Sequence, residues 1–386
     1  MTPPPDSAAE TAAPPTVPAF DLKAQWAEVR EETLAEVTRV LDAQACVNGP
    51  DIAQLEQEVA AYCGVGHGVG VTSGTDAILV ALQALGIECG QKVVTTPFTF
   101  FATVGSPWRV GVLPVFVDID PETMNLDASR IDNALADDSV AAIMPVHLFG
   151  RAADMTAIAE IAQRKSLRVI EDAAQAIGAK HRGQRVGSFG DATAVSFYPT
   201  KNLGGAGDGG MALFKDEAVA ERARRVRNHG TEQRYYHKEV GGNFRLDTLQ
   251  AAYLRVKLRK LEGYHAKRRA HAAYYAEALG DLDGLILPMG DAEGDFGVVN
   301  QYTVRTRDPK HRDPLREHLS SANVGTAIYY PLCLHLQECF ASLGHKPGDF
   351  PESEKASASC LSLPIFPELT EAQREHVAAS VRSYFA

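Results

Sequence analysis

The sequence predicts an α/β chain, with a large domain on a mainly parallel sheet and a smaller α+β domain closing it. Three observations predict this. From about residue 70, short apolar runs alternate with helical patterns. The runs are apolar on successive positions, as strands covered on both faces must be. Beyond the basic helical stretch at 253–269 the alternation gives way to an isolated strand pattern and two helices. With 386 residues, 45% of them hydrophobic and 23% charged, the chain can bury a sizeable core and divide it between two domains. We expect an arm at 1–19, a large domain at 20–265 and a small one at 266–386.

The first eighteen residues carry six prolines among Ala, Ser, Thr and acids. They lack both the basic start and the apolar stretch of a secretory signal, so the arm reads as disordered. Strand-like runs follow at Val93-Val94-Thr95, 112–117, 141–146, 168–170 and 192–197. Between two of these, Asp154 opens a segment with Met155, Ile158, Ala159, Ile161 and Ala162 on one helical face, the pattern of a crossover helix. In the last third, Gln301-Tyr302-Thr303-Val304-Arg305 reads as a strand and 314–322 as a helix. The final helix starts at Thr370, where Thr370 and Gln373 form a capping-box signature ahead of Val377 and Val381.

Composition narrows the function. A formal charge of -11 and a pI near 5.6 give no global attraction to nucleic acid or to an anionic membrane. No apolar run is long enough to cross a bilayer. Six cysteines, without a CxxC pair or disulfide-dense spacing, suit reduced thiols and no metal, and we expect a cytoplasmic protein.

Ligands of open parallel sheets collect at the carboxyl ends of the strands, and several candidate residues fall there. Asp172 ends the run Val169-Ile170-Glu171-Asp172, where a carboxylate is desolvated unless it meets a cation, a helix N-terminus or a protonated ring nitrogen. About thirty residues on, Lys201 stands between another apolar run and the cluster Gly204-Gly205-Ala206-Gly207-Asp208-Gly209-Gly210, whose small residues let backbone approach a flat group. A downstream amine paired with a buried carboxylate is what pyridoxal phosphate (PLP) chemistry requires: the amine forms the Schiff base and the carboxylate keeps the pyridine nitrogen protonated. Ser73-Gly74-Thr75-Asp76 opens a helix and offers free N–H groups to a phosphate, although an ordinary helix cap has the same pattern. Phe100 and Phe101 read either as a ring platform or as core. His147 reads as a satisfied core histidine. Gly205, Gly207 and Gly210 also satisfy the dinucleotide fingerprint, but Met211-Ala212-Leu213-Phe214 resumes a strand where that fingerprint needs a helix.

Taken in order, Ser73-Gly74-Thr75-Asp76-Ala77, Thr99-Phe100-Phe101-Ala102-Thr103, Pro145-Val146-His147-Leu148-Phe149-Gly150, Glu171-Asp172-Ala173-Ala174-Gln175, Ser196-Phe197-Tyr198-Pro199-Thr200-Lys201, Asn228-His229-Gly230 and Gly242-Asn243-Phe244-Arg245-Leu246-Asp247 resemble the sugar aminotransferases of the DegT/DnrJ type. The resemblance implies a PLP-dependent transferase of fold type I and a homodimer whose active sites are shared between chains. It gives Lys201 the catalytic role. Asp172 would hold the ring nitrogen protonated, Gln175 bond the ring hydroxyl, and Phe100 and Ala174 cover the two ring faces. Gly74, Thr75 and Ser196 would bind the phosphate, with Asn243 reaching it from the partner chain. Arg245, Tyr329 and Tyr330 are the substrate candidates.

Two departures fall in the substrate-facing stretch. Many members carry His where this chain has Tyr329, and Cys333 replaces a common proline. The implied reaction converts a nucleotide-linked ketosugar, expected to be a 3-keto sugar, to an aminosugar with L-glutamate as amino donor. The alternatives are a 4-keto substrate, a PLP-dependent sugar dehydratase or a non-catalytic PLP-binding regulator. The dehydratases carry His at the position of Lys201.

Overall fold

The computed structural model describes residues 15–136 and 138–386. Most of the expected arm, residues 1–14, lies outside the described residues. Residues 15–19 lie inside and do not behave as disordered chain. Val17 is fully buried, and its N–H donates to the Asn323 carbonyl at 2.9 Å while its carbonyl accepts from Gly325 at 2.7 Å. A single apolar side chain that fits a core outweighs the surrounding proline-rich composition.

The large sheet carries the chemistry. In chain order the strands are β1 (His67–Val71), β2 (Lys92–Thr95), β3 (Leu113–Phe116), β4 (Val140–Ile143) and β5 (Arg168–Asp172), then the two-residue hairpin strands β6 (Lys180–His181) and β7 (Gln184–Arg185), then β8 (Ala192–Ser196) and β9 (Gly210–Phe214). Seven of these pair in the order β1-β9-β8-β5-β4-β2-β3. The pairs β8·β5, β5·β4, β4·β2 and β2·β3 are parallel, while β9 runs antiparallel to both β1 and β8. Six strands therefore end on one edge of the sheet, and β9 begins there. Gly210 meets Val71 and Ser196 in register, and a Cβ at Gly210 would collide with the Ser73 backbone, so only glycine lets the three strand ends converge.

Helix Gly74–Leu85 shows how the sequence builds this edge. Ser73 caps it, its hydroxyl accepting from the Asp76 N–H, and Gly86 ends it in the left-handed region at φ 75°. Its face of Ala77, Ile78, Ala81 and Leu82 is buried in one core with Ile170, Ala194 and Ala212 of the sheet. The helix opened by Asp154, Met155–Lys165, buries Met155, Ile158, Ile161 and Ala162 against the other face.

A second core surrounds an antiparallel sheet. After the hairpin β10 (Thr231–Gln233) and β11 (Tyr236–His237), strands β12 (Leu285–Ile286), β13 (Tyr302–Thr306) and β14 (Cys360–Leu363) pair in the order β12-β13-β14. Helices Leu261–Leu279, Arg312–Ser321 and Glu371–Phe385 cover it through Tyr275, Leu279, Leu315, Leu319, Val377 and Val381, together with Val17. The capping box on Thr370 forms as its sequence indicates. Helix Leu261–Leu279 passes through the expected division at 265, giving Leu261 to the large-sheet side and Leu279 to the small core.

Candidate active site

The convergent strand ends bring most of the candidate residues together. Asp172 closes β5 and is almost fully buried. One carboxylate oxygen accepts from the Thr103 hydroxyl at 2.7 Å and the other from the Ala174 N–H at 3.2 Å, while Thr99 and Thr103 share a hydrogen bond of 2.9 Å. Among the described residues, no basic side chain forms an ion pair with Asp172. A buried carboxylate without an ion-pair contact is a costly arrangement, and it suits a site that receives a cation.

Lys201 lies in the turn between β8 and β9. Its N–H donates to the Tyr198 carbonyl at 2.8 Å, and Gly205 donates back to the Phe197 carbonyl at 2.7 Å. The side chain is half-buried, and burial lowers its pKa to about 8, the Asp172 charge acting the other way. An ammonium with a pKa this low supplies far more neutral, nucleophilic amine near neutral pH than an ordinary lysine does.

The phosphate candidates form a cradle. Gly74 and Thr75 start the helix after β1, and their N–H groups have no acceptor among the described residues, as the first turn of a helix requires. Ser196 ends β8 directly beside them: a Cβ on Gly74 would lie 2.8 Å from Ser196 Cβ. Two free amides, a hydroxyl and a helix N-terminus match the donor set of a phosphate.

The ring candidates stand above this floor. Phe100 keeps 57% of its surface exposed and its ring centroid lies 6.2 Å from that of Tyr330. Gln175 accepts from the Phe149 N–H at 2.7 Å and donates to the Tyr330 hydroxyl at 3.0 Å, which fixes its amide beside Asp172 and Ala174. Burial raises the Tyr330 phenol, so it is a neutral hydrogen-bonding group. Tyr329 is half-buried, and its carbonyl accepts from the Cys360 thiol at 3.3 Å. Cys333 and Cys360 both sit in the apolar cluster beneath this pair. An uncompensated carboxylate, a low-pKa amine, a phosphate cradle and an exposed aromatic face fit PLP in chemistry as well as in placement.

Asn243 and Arg245 are not part of this cluster. They follow the hairpin of β10 and β11, where Arg245 bridges Val71 and donates to the Asn228 side chain at 2.7 Å. Asn243 is exposed, and no hydrogen bond, ion pair or ring contact joins either residue to the Lys201 turn among the described residues. A cavity of about 250 Å³ also lies outside the site, lined by Met289, Arg151, Arg269 and Ala276 among others.

His147 is a core histidine. Its Nδ1 accepts from the Ala153 N–H at 3.0 Å, so Nε2 carries the proton toward Glu171 at 3.0 Å. Glu171 also accepts from Gly187, Phe189, Gly190 and Thr193. Burial alone would raise its pKa, but the hydrogen bonds from His147, Gly187 and Gly190 outweigh it and hold the carboxyl below its ordinary value. Thr103 is the residue sequence reasoning missed. The available signal was its spacing of four from Thr99, one helical turn, just past the end of β2.

Comparison with known proteins bears on the whole chain. Residues 27–382 match the model of the DegT/DnrJ/EryC1/StrS aminotransferase family. A "Pleiotropic regulatory protein" of Geobacillus stearothermophilus is 47% identical, over 96% of this chain and 98% of its own. The UDP-N-acetyl-3-dehydro-alpha-D-glucosamine 3-aminotransferase of Acidithiobacillus ferrooxidans is 43% identical, over 95% of this chain and 97% of its own. The crystal structure of DesV from S. venezuelae in complex with a ketimine intermediate superimposes with a TM-score of 0.93 at 41% identity, covering 96% of this chain and 98% of that one.

Proposed function

The chain belongs to the DegT/DnrJ/EryC1/StrS aminotransferase family of PLP-dependent sugar aminotransferases, and we propose that it converts the 3-keto group of a nucleotide-linked sugar to an amine, taking nitrogen from L-glutamate. The observation that carries the chemistry is the Asp172–Lys201 arrangement: a buried carboxylate without an ion-pair partner beside an amine whose pKa burial lowers to about 8. The 3-position rests on the Acidithiobacillus relative, which by name aminates a 3-dehydro sugar.

When bound, PLP supplies an aldehyde that carries the amino group and a ring that accepts electrons. Asp172 would hold a proton on the ring nitrogen, its carboxylate fixed for that contact by the Thr103 hydroxyl. Gly74, Thr75 and Ser196 would anchor the phosphate, and Phe100, Ala174 and Gln175 would hold the ring. Lys201 Nζ takes the proton from the α-carbon of the donor and later returns one to the sugar carbon. Asn243 and Arg245 serve the site of a second chain, Asn243 at the phosphate and Arg245 at a substrate anion, which makes the working unit a homodimer in the cytoplasm. Tyr329 and Tyr330 face the sugar. The two half-reactions give ping-pong kinetics.

The name of the Geobacillus relative supports a second reading, a PLP-holding regulator. One titration separates the two. Glutamate added to the PLP-loaded protein converts its visible spectrum if the chain transaminates, and an unchanged spectrum favours the regulator. A panel of nucleotide ketosugars with labelled glutamate, read by NMR, then places the new C–N bond. A bond formed only at C4 would replace the 3-keto assignment.

A further inference from the structure

Lys257 is buried to 1% exposure on helix Thr248–Leu258, and its ammonium donates to the Gly204 carbonyl at 2.7 Å. Gly204 is the returning leg of the Lys201 turn. A Cβ there would collide with the Pro199 carbonyl, so the turn closes on itself with Lys201 at its tip. The same helix reaches the turn a second time, where Gln250 accepts from the Ala206 N–H at 2.9 Å. On the other flank, Asn202 donates to the Val298 carbonyl at 3.0 Å and accepts from Asn300 at 2.6 Å. The turn is therefore held from both sides by buried polar groups, and one of them carries a formal charge.

A buried ammonium is an expensive way to satisfy one carbonyl. A hydrogen bond to a charged donor is also about twice as strong as a neutral one and resists local opening. Burial lowers the Lys257 pKa to about 8, which leaves it mostly protonated at neutral pH, and no carboxylate touches it among the described residues: the Tyr253 ring lies 5.5 Å away, and Glu368 acts on it only through space. Among the described residues its ammonium makes one hydrogen bond, the one to the Lys201 turn.

We propose that Lys257 is a positioning residue for Lys201, its charge fixing the backbone of the turn through the Gly204 carbonyl. This rests on the reading of Lys201 as the PLP-linked amine. Lys257 touches neither the reacting atoms nor the cofactor candidates. It sets the origin of the side chain that must move a proton between two carbon centres, where a displacement of an ångström is enough to slow the reaction.

Lys257→Met tests this in the PLP-loaded enzyme. Lys257→Met removes the buried charge at nearly the same chain length but leaves the Gly204 carbonyl without its donor, so the variant is expected to fold with lowered stability. The kcat for amino exchange with L-glutamate is expected to fall roughly 10- to 100-fold, with KM within about twofold of wild type. The visible circular dichroism of the bound PLP should change, and peptides covering 197–206 should exchange amide hydrogen faster. If Lys257→Met does not fold, Lys257→Gln, which keeps an N–H donor, is expected to move the same readings in the same direction by less. Unchanged kcat, visible dichroism and exchange in either folded variant, even with a lowered thermal midpoint, would reduce Lys257 to a core residue and overturn the proposal. Borohydride reduction of wild type followed by peptide mapping separates the two readings. An adduct on Lys201 together with unaltered variants overturns only the role of Lys257, whereas an adduct elsewhere overturns the catalytic reading and the positioning together.

Discussion

Lys201 is the residue at which burial and chemistry meet, and it gives two predictions. The Lys201 amine is lowered to about 8 from an unfolded value of 10.5 because burial penalises its charged form. Below pH 8 both folded and unfolded chains are protonated there, and the penalty on the apoprotein is fully present. As pH rises from about 8 to 10.5 the folded chain sheds its proton first and the penalty is relieved. The rate of PLP uptake by the apoprotein is therefore expected to climb through pH 8, followed by the growth of visible absorbance; a flat profile between pH 7 and 9 would contradict a desolvated amine. Lys201→Ala is expected to fold normally but to lose roughly 10²- to 10⁴-fold or more in turnover, together with the borohydride-trapped adduct. Wild-type rates in that variant would end the catalytic assignment. Asp172 was legible because it closes an apolar run and Lys201 because it follows the next one, beside a glycine cluster, whereas Gln175 and Ser196 were assigned only by the family resemblance. Lys257 was not. Among Arg255, Arg259 and Lys260 it reads as one more charge on a solvated helix face, and only the packing of that helix against the Lys201 turn buries it.

At the scale of elements, the turn between β5 and β8 hangs on one carboxylate. Glu171 gathers N–H groups from Gly187, Phe189 and Gly190, the Thr193 hydroxyl and the His147 ring, so β5, the segment after β4 and the loop into β8 share an anchor. Glu171→Gln is expected to cost about 2–4 kcal/mol of stability, measured by denaturant unfolding, because a fixed amide leaves donors unmatched in a dry interior. The pH dependence has a definite sign. The Glu171 carboxyl is held below its ordinary value of 4.5, so its contribution is complete above that pH and disappears as pH falls through the lower folded value. An acid-unfolding profile identical in wild type and variant would refute this. Element recognition succeeded where local chemistry is strong, as at the Asp154 cap and the Thr370 box. It failed at Val17, where one valine in a proline-rich stretch finds a place beside Val324 that no local pattern encodes.

At the scale of the whole molecule, no hydrogen bond, ion pair or ring contact joins Asn243 or Arg245 to the Lys201 turn among the described residues, and their assignment to the site of a second chain is testable. Asn243→Ala should weaken PLP retention roughly tenfold. Mixed dimers of Asn243→Ala with Lys201→Ala should regain one complete site and hold PLP at concentrations where neither parent does. Verified mixed dimers that behave as the average of their parents would place Asn243 outside a shared site. The fold class was readable because parallel strands covered on both faces leave continuous apolar runs. The position of β9 was not, since its run looks like any other and only the pairing reveals its reversed direction. That reversal has a consequence during synthesis. His67 finds its sheet neighbour only in Phe214, so a nascent chain must emerge past the Lys201 turn before β1 is stitched to the rest of the sheet. Until then helix Gly74–Leu85 lacks the part of its core that β9 supplies through Ala212 and Phe214, and the apolar surface left open gives chaperones a window in which to act.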